Sequence, residues 1–209
     1  SAGVDARKTT VLDPAGPRGA MLALALCVND IDDLLLVGRD SPGVGHLHVL
    51  RAAHGQQPHN LSGPLDRNVM PGGPGYPGGV PVIVGEDVVF CARDRGCTTL
   101  YRVPLDGSRA PEAILAEGDS VISGLSIATR SGIAAVVLAD ATTYGEIVRV
   151  DLGDGSRRAL TRHTVRSLPN TSPARAEPRT FTITDGTEIH GFLLRPADAT
   201  GATPLLLDI

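Results

Sequence analysis

The chain has 209 residues and a formal net charge of −4, and 42% of its residues are hydrophobic although only 3% are aromatic. Its basic residues are scattered, which argues against the cationic stripe of a nucleic-acid-binding domain. No apolar run reaches the roughly 18 residues of a membrane span. We therefore expect neither a nucleic-acid partner nor a membrane. The odd count of three cysteines and the absence of an apolar leader predict a cytoplasmic location.

A repeat of about 50 residues runs through the first three quarters of the chain. Leu47, Leu100 and Ile147 occupy one of its columns. Each copy has two apolar runs before this column, and after it a small turn and a short strand. The paired apolar runs lie at 20–28 and 32–38, at 80–84 and 87–92, and at 121–128 and 133–139, and the short last strands are expected near Leu61, Leu115 and Leu160.

Four strands per unit at this period are typical of the blades of a β-propeller. Asp106-Gly107 and Asp154-Gly155 favour tight hairpins, in which both central residues need a positive φ. A β-sandwich with chance internal similarity is the alternative. We predict an all-β chain whose residues 1–164 form a partial β-propeller of about three four-stranded blades. The predicted blades lie near 20–63, 80–119 and 120–163.

Three blades do not close a ring, because propellers typically have about four to eight. Exposed blade edges must then pair with something. The sequence leaves two alternatives open, which are self-association with a second copy and further blades upstream.

The pattern changes after the third copy. Residues 165–178 are rich in Pro, Ser and Arg and are predicted to form a linker. The sequence FTITDGTEIHGFLLRP then predicts a hairpin with strands at 181–184 and 188–195 and a turn at Asp185-Gly186. Pro204 is expected to open a buried strand in PLLLDI.

This order of segments resembles the prolyl oligopeptidase family of serine peptidases, and within it the acylaminoacyl-peptidase branch. The resemblance is strongest in DVVFCARDRGCTTLYRVPLDG, at 87–107, and from Arg179 to Ile209. It implies that 179–209 are the first strands of a truncated α/β-hydrolase domain. It also implies that an oxyanion-hole loop and the catalytic Ser, Asp and His lie beyond Ile209.

The resemblance further implies a parent enzyme that hydrolyses short peptides, N-acylated ones among them, through an acyl-enzyme. The propeller would gate access to that site, and this chain alone would be inactive. The implied partners are a short peptide substrate and the missing hydrolase domain, with no metal and no organic cofactor. The alternative is a non-enzymatic propeller that serves as a binding or interaction scaffold. A pure scaffold would have no need of residues 179–209.

In such a family, propeller residues can contact the substrate. The charged residues we single out for this role are Arg67, Asp94 and Arg95. The alternative is that Asp–Arg pairs at blade turns only tie strands together.

Three further motifs give weaker indications of a functional site. Gly124-Leu125-Ser126-Ile127-Ala128 lacks the last Gly of a nucleophile elbow and is predicted to be an ordinary blade strand. His46 and His48 have a metal-ligand spacing without further ligands nearby, so they are predicted to be surface histidines. The Gly- and Pro-rich stretch at 71–79 is either a surface that faces the hydrolase domain or a long loop.

Overall fold

The structure is a computed structural model. It describes residues 25–28, 33–39, 45–53, 58–73, 75–115, 118, 120–171, 173–174, 176–196, 201–202, 204 and 206. Strands dominate the described residues, which contain one 3-10 helix at Gly63–Leu65 and one α-helix at His163–Ser167, and this confirms the all-β prediction. No helix within the described residues is long and apolar enough to cross a membrane. Most of the strand predicted after Pro204 lies outside this part of the chain.

The first sheet is an antiparallel meander that follows the chain order. Its strands are β1 Ala25–Val28, β2 Asp33–Gly38, β3 His48–Ala53 and β4 His59–Asn60. They coincide with the first predicted unit, because its apolar runs and its short last strand take these places. Residues 20–24 of the first predicted run lie outside the described residues.

The second and third units form one larger sheet. Before the second unit come three short strands, β5 Asn68–Val69, β6 Pro71–Gly73 and β7 Tyr76–Gly78. The second unit consists of β8 Val82–Val84, β9 Asp87–Asp94, β10 Cys97–Pro104 and β11 Glu112–Ala113. The third consists of β12 Val121–Ala128, β13 Ile133–Asp140, β14 Thr143–Asp151 and β15 Arg157–Ala159. Within each unit successive strands pair antiparallel, as in a propeller blade.

Two hydrophobic cores lie between consecutive units, which we call blades 1, 2 and 3. One core joins Leu35, Val37 and Val49 of blade 1 to Val88 and Phe90 of blade 2. The other joins the opposite face of blade 2 to blade 3, and it includes Val89, Leu100, Ile122, Ala134, Val136 and Val150. A parallel bridge between Thr98 and Val121 links blades 2 and 3 through the backbone.

The Asp-Gly turns differ from the prediction in one respect. Gly107 and Gly155 have positive φ, at 68° and 71°, but Asp106 and Asp154 do not. The predicted turn type is therefore wrong, because only the glycine adopts the left-handed conformation. Each loop is longer than two residues, and the aspartate carboxylate instead accepts the N–H of the residue two positions on, Ser108 or Ser156. These bonds lower the pKa of both carboxyl groups.

The connection after blade 3 is fastened by one carboxylate. Glu146 on β14 is buried and accepts hydrogen bonds from the Thr161 hydroxyl at 2.6 Å and from the backbone N–H groups of His163 and Thr164, each at 2.8 Å. These bonds, led by the one from Thr161, lower the pKa of Glu146 from 4.5 to about 2. Since Thr164 also accepts the N–H of Tyr144 through its hydroxyl, the start of the helix is held against β14.

The predicted hairpin is present as β16 Ala176–Thr182 and β17 Glu188–Leu194, which form a two-stranded sheet. β16 begins inside the segment predicted as linker. The turn contains Gly186 at φ 87°, and the Asp185 carboxylate accepts the N–H of Thr187. Several apolar side chains of the hairpin are exposed, among them Phe181 and Leu194.

Candidate functional site

The β9–β10 turn presents a strained residue at the edge of blade 2. Asp94 pairs with Cys97, so Arg95 and Gly96 form a two-residue loop with φ values of 47° and 85°. Both values are positive, as a type I′ turn requires. The left-handed conformation costs Arg95 about 1–2 kcal/mol of steric strain, which a glycine would not have. The turn holds Arg95 exposed at the end of the β9–β10 hairpin.

Arg67 and Asp94 are brought together by the segment that precedes β5. The Arg67 Nε donates to Asp94 Oδ1 at 2.6 Å, and its Nη1 donates to the Asp66 carbonyl at 2.8 Å. The bond to Asp94 raises the pKa of Arg67. Since both side chains are partly exposed, the pair contributes about 0.2–1 kcal/mol. Of the three predicted contact residues, two therefore form a tie between chain segments and Arg95 lies on the adjoining turn.

His46 and His48 lie beside the segment that carries Arg67. His46 Nε2 is 3.7 Å from Asp66 Oδ1, and His48 Nδ1 is 3.4 Å from Ser62 Oγ, which accepts the Val49 N–H. Within the described residues, no three His, Cys, Asp or Glu side chains are grouped as a metal site. The histidines thus contact the loop that crosses from blade 1 to blade 2.

The Gly- and Pro-rich stretch is a hairpin, so the interpretation as a long loop is wrong. β6 pairs with β7, and Gly78 of β7 also bridges Ser123 of β12. Glycine is required here for close approach, because a Cβ on Gly79 would overlap the side chain of Leu125. The short strands escaped sequence reasoning because glycine and proline are depleted in strands.

A groove of about 710 Å³ is lined by residues of this hairpin and of β12. Its lining is mostly apolar and includes Tyr76, Val80, Val121 and Leu125. The β12–β13 pairing shifts register between Ile122 and Leu125, which marks a β-bulge on the groove wall. Sequence reasoning missed this groove, because a register shift depends on the partner strand. The one sequence feature that could have indicated the groove is Tyr76 among the glycines of 71–79.

The sheet register connects Arg93, next to the charged turn, with Val121, which lines the groove. In the sheet register, Arg93 of β9 lies opposite Thr98 of β10, and Thr98 lies opposite Val121 of β12. Two strand spacings span about 10 Å. Arg93 is exposed, as Arg95 is. An exposed cation therefore lies on each side of Asp94, and the row through Arg93 leads to the apolar lining.

Neither Ser126 nor Cys91 is placed to act as a nucleophile. Ser126 lies within β12 opposite Ala135 of β13, and the chain continues into a turn and a strand, as predicted for an ordinary blade strand. Cys91 is fully buried, and burial raises the pKa of its thiol to about 12. A thiol with that pKa is inert at neutral pH.

The hairpin after the blades reaches the β9–β10 turn. A Cβ built on Gly96 would lie 2.8 Å from Cε2 of Phe192 on β17, so the ring packs directly over this glycine. The segment that follows the blades is thereby held at the edge that carries Arg67, Asp94 and Arg95.

Several solved peptidase structures have a fold similar to that of this chain. The chain is similar to an acylaminoacyl peptidase in complex with Z-Gly-Gly-Phe-chloromethyl ketone, with a TM-score of 0.62 and 18% identity over 87% of this chain and 26% of that one. It is similar to a Mycobacterium tuberculosis puromycin-hydrolyzing peptidase, with a TM-score of 0.63 and 18% identity over 87% of this chain and 28% of that one. A Pyrococcus horikoshii acylaminoacyl peptidase gives a TM-score of 0.60 and 20% identity over 84% and 25%.

The chain has the fold of a segment of these peptidases. The resemblance to the prolyl oligopeptidase family is thus confirmed in the fold, at low sequence identity. The chain spans about a quarter of the length of these structures. No protein-family model matches the sequence, and no curated protein matches it either.

Proposed function

We propose that the chain is the substrate-gating propeller portion of a serine peptidase. The parent protein would hydrolyse short peptides, N-acylated ones among them, through an acyl-enzyme. The observation that carries this proposal is the likeness in fold to peptidases over 84–87% of the chain. This chain alone would have no activity, because the catalytic Ser, Asp and His are assigned to residues beyond Ile209.

The proposed division of the chain is that of the sequence prediction. Residues 1–164 would be propeller, 165–178 linker, and 179–209 the first strands of a hydrolase domain. The packing of Phe192 over Gly96 supports placing the hydrolase domain at the edge of blade 2 that carries the β9–β10 turn. Peptides entering between the two domains would then pass Arg95 and the Arg67–Asp94 pair.

The test is an assay of the full-length parent protein with acyl-aminoacyl and dipeptidyl p-nitroanilides, together with a serine-directed fluorophosphonate. We expect hydrolysis of at least one substrate class, loss of activity on labelling, and no hydrolysis by the 209-residue chain. A parent protein that neither hydrolyses peptides nor takes the label is a scaffold, and the peptidase proposal is then rejected.

The proposed cytoplasmic location and self-association have tests of their own. Sedimentation of the 209-residue chain should show a species larger than 21.6 kDa if exposed blade edges pair between copies. A protease-resistant monomer rejects self-association. Recovery of the parent protein outside the cytoplasm on cell fractionation rejects the location.

A further inference from the structure

Equivalent rows of apolar side chains cross the three blades. Each row runs from the second strand of a blade through its third strand to its fourth segment, where the backbone N–H of the last residue donates to the carbonyl of the middle one. The rows are Val37, Val49 and Leu61 in blade 1, Cys91, Leu100 and Ile114 in blade 2, and Val137, Ile147 and Leu160 in blade 3. This register puts Val49, rather than Leu47 of the sequence repeat, at the position of Leu100.

The three rows differ in what covers them. The row of blade 1 is buried against blade 2. In blade 2, Cys91 and Leu100 are buried against blade 3, and Ile114 packs on the same core. The row of blade 3 is instead accessible, with exposed fractions of 37% for Val137, 41% for Ile147 and 51% for Leu160. These three residues define the outer face of blade 3, which exposes the surface that each preceding blade buries against its successor.

An arginine repeats together with the row. Arg51, Arg102 and Arg149 each lie two residues after the middle residue of their row. The Nη1 of Arg51 donates to the Leu105 carbonyl of blade 2 at 3.1 Å, and the Nη1 of Arg102 donates to the Leu152 carbonyl of blade 3 at 3.3 Å. Both acceptors directly follow the third strand of their blade. Both contacts between consecutive blades thus include a charged hydrogen bond from this arginine to an equivalent carbonyl.

Arg149 has the same position in blade 3. Within the described residues its guanidinium contacts the Asp151 carboxylate of its own strand at 3.3 Å, and its side chain is 40% exposed. A guanidinium has five N–H donors, so this contact leaves donors for another acceptor. Arg149 can therefore make to a further sheet the bond that Arg102 makes to blade 3.

A second copy of this chain is the alternative occupant of the outer face. In a head-to-tail stack, the copy would have to offer the face of blade 1 opposite to blade 2, but Leu36, Leu50 and Ala52 on that face are already buried. In a twofold stack, Arg149 and its cross-strand neighbour Arg158 would lie close to their copies, and like charges repel. A further sheet that offers a backbone carbonyl fits the face better than either arrangement.

We propose that the outer face of blade 3 is the interface for a further four-stranded blade of the parent protein, and that Arg149 donates to the backbone carbonyl directly after the third strand of that blade. The inference rests on the proposed function for the existence of a parent protein that contains more than this chain. Substitutions on the outer face should be mild in the 209-residue chain, where the face is exposed, and costly in the full-length protein, where it becomes a core.

Hydroxyl-radical footprinting of the full-length protein, compared with the urea-unfolded protein, measures whether the outer face is covered. We expect Ile147 and Leu160 to be labelled about tenfold less than in the unfolded protein, as buried Leu100 is, because an interface core packs like an interior. Tyr144, 74% exposed on the same strand as Ile147, is the control and should be labelled nearly as in the unfolded protein. Labelling of Ile147 and Leu160 close to that of the unfolded protein overturns the proposal.

Photo-cross-linking identifies the occupant. With p-benzoyl-phenylalanine substituted at Leu160 of the full-length protein, we expect a cross-link within one chain to a segment that lies outside residues 1–209 and has the four-strand pattern. A cross-linked dimer identifies a second copy and overturns the proposal. A cross-link to the domain that takes the serine-directed fluorophosphonate overturns it as well.

Urea denaturation of the full-length protein tests the role of Arg149. Arg149→Gln should lower the urea midpoint about as much as Arg102→Gln, because each removes a charged hydrogen bond between blades from an arginine that also has a carboxylate partner in its own blade. Arg130→Gln, at the exposed β12–β13 turn, is the control and should leave the midpoint unchanged. A midpoint that Arg149→Gln does not change overturns the assigned bond.

The outcomes distinguish this inference from the proposed function. A covered outer face in a protein that neither hydrolyses peptides nor takes the fluorophosphonate supports the interface and overturns the peptidase proposal. An active peptidase in which Ile147 and Leu160 are labelled as in the unfolded protein overturns the interface alone.

Discussion

The second strands of blades 2 and 3 are similar as sequences and differ in burial. In β9, the five consecutive residues 88–92 are all buried. In β13, Ala134, Val136 and Leu138 are buried, whereas Ala135 and Val137 are exposed. Both contain continuous apolar runs, VVFCA and IAAVVLA, so their composition does not account for the difference.

The difference comes from the neighbours of each blade. Blade 2 lies between two hydrophobic cores, with Val88 and Phe90 in one and Val89 and Cys91 in the other. Blade 3 contributes only to the core that it shares with blade 2, within the described residues. A continuous apolar run thus shows that a strand can be covered on both faces, but a neighbouring sheet is needed to cover them.

The largest predicted loss of stability is for a substitution in the buried strand β9. Phe90 is fully buried and stacks against Tyr101 with ring centroids 5.9 Å apart. Phe90→Ala should lower the free energy of unfolding by about 3–5 kcal/mol, since it leaves a cavity between blades 1 and 2. Urea denaturation measures this value. Val137→Ala, on the exposed face of β13, should cost less than about 1 kcal/mol, and equal losses would show that the two strands are buried alike.

A steric substitution tests the packing of the β6–β7 hairpin segment on blade 3. Gly79→Ala should destabilise by about 1–3 kcal/mol, because the added Cβ overlaps Leu125 of β12. The matched control is Gly45→Ala, since Gly45 also lacks a positive φ and a Cβ there would meet nothing within 4 Å. If both variants unfold at the wild-type urea concentration, the hairpin does not pack on β12 as described.

Protonation tests the fastening of blade 3 to the segment that follows it. The folded pKa of Glu146 is about 2 against an ordinary 4.5, so its contribution is complete above pH 4.5 and is lost as the pH falls towards 2. We expect Glu146→Gln to unfold at a lower urea concentration than wild type at pH 7. The difference should shrink between pH 4.5 and 3 in urea denaturation measured at each pH.

The control for this pH dependence is Glu86→Gln, at an exposed turn of blade 2. Its unfolding should parallel that of wild type at every pH. A difference between Glu146→Gln and wild type that stays constant from pH 7 to pH 3 would contradict the role given to the carboxylate.

The smallest predicted effect on stability is that of the Arg67–Asp94 ion pair. A double-mutant cycle of Arg67→Gln and Asp94→Asn should give a coupling energy of about 0.2–1 kcal/mol, because both side chains are partly exposed. The coupling should fall as salt is added. A coupling above roughly 2 kcal/mol that resists salt would indicate a buried network instead.

Much of the fold could be predicted because its signals are local. The column shared by Leu47, Leu100 and Ile147 located the third strand of each unit to within one residue, since apolar residues recur in strands. It did not predict burial, because Leu100 is buried whereas Ile147 is exposed. The Asp185-Gly186 turn likewise located the last hairpin. The β6–β7 hairpin could not be predicted, since its glycine-rich strands form by pairing with a distant strand rather than by propensity.

The candidate site was predictable only in part. The sequence singled out Arg67, Asp94 and Arg95 from their charge and their places at turns. It could not show that Arg67 forms an ion pair with Asp94, because that bond joins positions 27 residues apart. Nor could it show that the row through Arg93 leads to the groove, since this depends on the register between β9, β10 and β12.

The sequence by itself determined the four-strand unit, its repeat and the positions of the turns, because these follow from side-chain periodicity and from the conformations open to glycine and aspartate. Only the tertiary structure decided which faces are buried, which charges neutralise each other and which residues of the β6–β7 hairpin meet β12. Those properties are set by contacts between residues far apart in the chain, and such contacts leave no local pattern in the sequence.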